Sequence, residues 1–198
     1  MKHIKMLMIL LVSLGFLAGC GSSSKSTVTY DSGVASGSGT LDDTKDVTIV
    51  AYDEKSNREL ASTTIKAGTL LLDATGNPIA EEVEYDLNVT SVSVDDSTLE
   101  TTVTMKTRTA SGGEVEEISE DLVVNVVPPR LEGMSDLKPT SAVLVAEDAA
   151  TATALRGGEI VLTINPDGSV DVTVTYKPGR KWKIRFVFPV TTGATGAN

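Results

Sequence analysis

An antiparallel all-β fold with at most one short helix is what this sequence predicts, on three observations. From Asp46 onward, Val, Thr, Ile and Leu recur in short runs with polar residues between them, the period of two that gives a strand one inward face. These runs are separated by clusters of turn-forming residues such as Asp73-Ala74-Thr75-Gly76-Asn77-Pro78 and Asn165-Pro166-Asp167-Gly168. Only the Ala-rich stretch Glu147 to Arg156, ending at Gly157-Gly158, fits a two-turn helix with a glycine C-cap, and Thr151 and Thr153 leave a plain loop as the alternative. Roughly 150 residues patterned in this way can bury one core, and the architecture expected is a β-sandwich, immunoglobulin-like or related, over residues 46–190.

Taken in order, Asp46 to Tyr52 and Leu60 to Ile65 are the first two strands. Gly76 is placed to supply positive φ in the turn that follows Leu70-Leu71-Leu72, and Pro78 fixes the exit. Val83, Tyr85, Leu87 and Val89 share one face, after which the apolar phase moves to Val92 and Val94; a bulge or a crossing between sheets is expected near Thr90-Ser91. Asp95-Asp96-Ser97 turns the chain, and Thr101 to Thr109 returns with Val103 and Met105 inward. Glu114 to Val127 carries Leu122, Val124 and Val126 on one face and stops at Pro128-Pro129, since neither proline can donate to a ladder. Ile160–Ile164, Val170–Tyr176 and Trp182–Phe188, joined by two turns, predict a three-stranded meander. Its last member carries the only Trp and two of the three Phe, which makes it the centre of the core.

The amino-terminal part is of a different kind. Lys2 and Lys5 precede an almost unbroken apolar run from Met6 to Leu17, the order of an export signal and too short to span a bilayer, which takes about 20 apolar residues. The run closes on Leu17-Ala18-Gly19-Cys20, which resembles the lipobox of bacterial lipoproteins. That resemblance implies cleavage after Gly19, a diacylglycerol thioether on Cys20 and an acylated new amino terminus. It also implies a place in the cell envelope, at the outer membrane where Gly21 and Ser22 rather than Asp follow the cysteine. Several acyl chains at about 0.8 kcal/mol per buried CH2 hold a protein firmly. Residues 20–45, rich in Gly, Ser and Thr, then read as a flexible tether, with Thr27-Val28-Thr29-Tyr30 as a possible short strand, and residues 191–198 as a disordered tail. The stretch Ala67-Gly68-Thr69 to Gly76-Asn77-Pro78 is similar to one found in extracytoplasmic β-sandwich modules of bacteria; no function attaches to it.

Loss of residues 1–19 removes Lys2 and Lys5 from 17 Lys and Arg and none of 27 Asp and Glu, leaving a net charge of -12. So acidic a domain is a poor partner for nucleic acid. It also loses His3, the only histidine, and its one cysteine is modified. Ser-His-Asp and Cys-His catalysis and His-ligated zinc are thereby excluded, and no disulfide forms. No cofactor is expected. Carboxylate pairs remain, as in glycosidases, so a membrane-tethered carboxylate-dependent hydrolase acting on envelope glycans is the alternative to a noncatalytic module.

Two features bear on binding. Lys177, Arg180, Lys181, Lys183 and Arg185 gather five cations in nine residues, with the last three on one strand face. They could meet an acidic glycan, a lipid headgroup or an acidic patch on an envelope protein, or simply lie beside an acid-rich strand such as Glu114-Glu116 or Glu82-Glu84, or protect an edge from unwanted pairing. The paired acids Asp42-Asp43, Asp95-Asp96 and Glu116-Glu117 lack the ligand spacing of a calcium loop, and no metal is assigned to them.

Overall fold

The computed structural model describes residues 29–134, 137–146, 149–158, 160–177 and 181–190. The signal, Cys20, Arg180 and the tail 191–198 lie outside the described residues. The elements are β1 (Val34–Leu41), β2 (Val47–Asp53), β3 (Glu59–Ile65), β4 (Leu71–Leu72), β5 (Val83–Asp95), β6 (Thr98–Thr109), β7 (Glu117–Ile118), β8 (Leu122–Val126), β9 (Ser141–Val145), α1 (Ala149–Gly157), β10 (Ile160–Ile164), β11 (Val170–Val174) and β12 (Lys181–Val187). The all-β class and the single short helix are as the sequence predicts. Ten strands form one antiparallel sheet in the order β10-β11-β8-β3-β2-β1-β5-β6-β12-β9, and β4 pairs with β7 in a separate ribbon. The sheet curls until its edge strands β9 and β10 approach within 8 Å between Cα atoms. Its concave face is the core.

The alternation read from the sequence puts the expected side chains inside: Val83, Tyr85, Leu87 and Val89 on β5, Val103 and Met105 on β6, Leu122, Val124 and Val126 on β8. Trp182, Ile184 and Phe186 on β12 are wholly buried. Phe186→Ala is expected to cost about 3–5 kcal/mol, the range for emptying a buried aromatic site; an unchanged melting temperature in the variant would place this face outside the core. α1 ends as predicted, with Gly158 at φ +76.

Three expectations are corrected. Residues 20–45 are not all tether, because Val34–Leu41 is a central strand paired along its length with β5. Its inward positions are Ala35, Gly37 and Gly39, and a Cβ built on Gly37 would lie 2.0 Å from the carbonyl oxygen of Val50 on β2. The glycines serve the close approach of one backbone to the next, not flexibility. The Thr27–Tyr30 strand is absent at Thr29 and Tyr30, while Thr27 and Val28 lie outside the described residues.

Second, β5 keeps one phase through Thr90-Ser91, and its only irregularity falls between Ser93 and Asp95. Ser91 takes the inward position in place of an apolar residue and is satisfied there by the Thr101 hydroxyl at 2.8 Å, leaving Val92 and Val94 outside. Third, the carboxyl-terminal strands are not a meander. β10 and β11 form the expected hairpin, with Gly168 at φ +94. β11 then pairs with β8, and β12 lies between β6 and β9. The connection is drawn away by Tyr176, buried with its hydroxyl 2.8 Å from Thr107 Oγ1 on β6.

Candidate functional site

Successive strands of the curled sheet run in opposite directions, so the loops fall at two ends. The amino-terminal segment joins at the end that holds the β2–β3 turn, the β5–β6 turn and residues 127–140, here called proximal. Asp31 donates its backbone N–H to the Arg130 carbonyl at 2.8 Å and accepts the Arg130 N–H at 2.6 Å. Its carboxylate, 1 % exposed, is paired with the Arg58 guanidinium and also accepts the Ser56 hydroxyl at 2.6 Å. Burial pushes the Asp31 carboxyl up, and Arg58, Ser56 and Arg130 more than reverse this, leaving it below its ordinary value. Asp53, also buried, accepts from the backbone of Ser32, Gly33, Lys55 and Ser56 and from the Ser32 hydroxyl, all at 2.7–3.1 Å. These donors hold its carboxyl well below the carboxylate range against the opposing effect of burial. The two carboxylates fasten the incoming chain to β2, the β2–β3 turn and residue 130. The sequence reading missed this clamp.

The predicted basic strand is where it was placed, on the outer face of β12, but it is an interior strand of the sheet. Glu100 on β6 faces it and takes both Lys183 Nζ at 3.2 Å and Arg185 Nη2 at 2.6 Å. Those hydrogen bonds, Arg185's first, hold the Glu100 carboxyl below its ordinary value. Lys177 lies 3.5 Å from Glu117, and Lys181 is exposed with no ion pair among the described residues. The bridging acid is Glu100 rather than Glu82, Glu84, Glu114 or Glu116.

At the opposite, distal end lies a cavity of about 680 Å³, within the range of ligand pockets. Four segments build it: the end of β1 with the loop to β2, the end of β3, the β4 ribbon, and residues 78–83 leading into β5. Its floor is aliphatic, from Leu41, Ile65, Leu71, Ile79 and Val83, and Leu70 stands half-exposed at its lip. Its rim is acidic. Asp42 is tied to Lys45 and Thr44, and Glu81 to Ser111, while the side-chain carboxylates of Asp43 and Glu82 are exposed and have no partner among the described residues. Lys66 is paired with Asp46 at 2.8 Å. Hydrogen bonds from Thr44 and Lys45 hold Asp42 at about 2.

The charge of the whole domain follows the same polarity. The described loops of the distal end hold ten carboxylates against three cations, whereas those of the proximal end hold five against four.

Chemically, the site's carboxylates Asp42 and Glu81 are held in their ionised form. Every carboxylate of the described residues whose pKa is displaced is displaced downward, Asp31, Asp42, Asp53, Glu81 and Glu100 included. A glycosidase acid needs the opposite shift. The two inward phenols, Tyr85 and Tyr176, are raised by burial and so are poorer proton-transfer groups at neutral pH. Among the described residues no group of three or more Asp, Glu, His or Cys is placed to hold a metal ion. No helix among them is long and apolar enough to cross a membrane. No protein-family model, curated protein or solved structure matches the chain.

Proposed function

We propose that the protein is a lipid-anchored, noncatalytic binding module of the cell envelope, held by acyl groups on Cys20 at an outer membrane and offering its distal end to a partner there. The observation that carries this reading is the polarity of the domain. Asp31, eleven residues after Cys20, is fixed at the proximal end, so Cys20 can stand no more than about 40 Å from it at 3.3–3.6 Å per residue. That end is nearly neutral in its described loops, and the cavity and the excess of carboxylates lie at the other. An anionic lipid surface would repel the distal end and tolerate the proximal one, which turns the cavity outward. The downward-shifted carboxylates support a noncatalytic role over the tethered hydrolase.

Cys20→Ser tests the anchor. The variant is expected to leave the membrane fraction while the domain keeps its melting temperature; a variant that still sediments with membranes as the wild type does would sink the proposal.

A further inference from the structure

We infer that the distal cavity is a docking groove for an extended, basic segment of a partner protein, its aliphatic side chains on the floor and its cations against the rim. The floor supplies five aliphatic side chains and no aromatic ring, which suits Leu- or Val-sized groups and gives a sugar ring nothing to stack on. The two lysines of the rim are each held by an acid, Lys45 by Asp42 and Lys66 by Asp46. The charge left over is negative and rests on Asp43, Glu81 and Glu82, of which Asp43 and Glu82 make no side-chain contact that a ligand must displace. An anionic headgroup or acidic glycan is therefore repelled, and a cationic chain is drawn in from a distance by the ten carboxylates of the described loops at that end. A small polyamine would answer the rim and leave the floor in water. A segment alternating Lys with Leu answers both.

This deepens the reading of the protein as a binding module but does not depend on the lipid. The Cys20→Ser chain, residues 20–198, should bind as the wild type does, so a failure of the anchor and a failure of the groove are separate results. The probe is a dye-labelled ten-residue peptide of alternating Lys and Leu, titrated by fluorescence anisotropy at 50 and 300 mM salt. Controls are a Lys–Ser peptide and a Glu–Leu peptide of equal length. The expected result is saturable binding of the Lys–Leu peptide alone, weakened on raising the salt and weakened about tenfold in the double variant Asp43→Asn/Glu82→Gln. Leu70→Ser, at the exposed lip, should weaken it without altering the salt dependence. The proximal double variant Asp95→Asn/Asp96→Asn removes as much charge elsewhere and should bind normally. Equal losses in the two double variants would mean bulk attraction and overturn the proposal. Binding of the Lys–Ser peptide as tight as that of Lys–Leu, or displacement of the peptide by submillimolar calcium, would overturn it as well.

Discussion

Gly37→Ala is expected to abolish folding or to cost more than about 4 kcal/mol, a loss reserved for changes the fold cannot absorb. Gly37 does not need positive φ, so the effect is one of space. The added Cβ would meet Val50 O at 2.0 Å, Val50 C at 2.5 Å and Ala51 N at 2.9 Å, all of them backbone atoms. A flexible side chain could swing aside, but here β2 itself would have to move, and β2 carries Ile49 and Ala51 into the core. Gly39→Ala is the control. Its Cβ meets only side-chain carbon, Ile49 Cγ1 at 3.1 Å, so a small rotation relieves it and a loss of about 1 kcal/mol is expected. Circular dichroism melts of the two variants decide the matter. A cooperative Gly37→Ala melt within a few degrees of wild type would return residues 34–41 to the tether.

Asp53→Ala is the second large effect, expected at about 2–4 kcal/mol, since it takes the acceptor at once from the buried Gly33 N–H and from several half-buried donors. The N–H groups of Ser32, Gly33, Lys55 and Ser56 all turn toward this one carboxylate. Asp53→Asn keeps one carbonyl oxygen in place and should lose less. The same clamp sets a pH dependence. Asp31 and Asp53 have folded pKa values depressed below the 3.8 they start from, so above that value both states are ionised and the full stabilisation is present. As pH falls below about 4, the unfolded chain takes up protons first. Stability is then lost progressively until the folded carboxylates protonate as well. Urea melts at pH 7, 5 and 3 should show wild type weakening mainly between 5 and 3, and Asp53→Ala weakening less over the same interval. Parallel losses in the two proteins would show that this carboxylate contributes little to the acid sensitivity.

Those two variants mark where the residues could and could not be read without coordinates. Burial on one face of β5, β6, β8 and β12 was legible because Val, Leu, Ile and aromatic side chains alternate with polar ones there, and the pleat leaves no other arrangement. Strand β1 was not, because Ala35-Ser36-Gly37-Ser38-Gly39 has the composition of a linker, and only the approach of β2 makes the alternation of small residues meaningful. Ser91 misled in the same way: an inward hydroxyl looks like a lost phase until Thr101 is found opposite. The clamp joins Asp31 and Asp53 across 22 positions and through Arg58 and Arg130, and the groove joins four segments between residues 40 and 83. Neither has a local pattern. The basic run on β12 was legible as a cluster, but its neighbour Glu100 follows from the β6–β12 register alone.

The polarity of the molecule has meaning only if its amino terminus is fastened to lipid. Intact mass spectrometry of the mature protein, extracted from its native envelope with detergent, measures this directly. The expected product begins at Cys20, lacks residues 1–19 and is heavier than residues 20–198 by a diacylglycerol and one further acyl chain. A chain of unmodified mass with a free Cys20 thiol, or one that retains Met1 to Gly19, would contradict the anchor and with it the outward orientation of the groove.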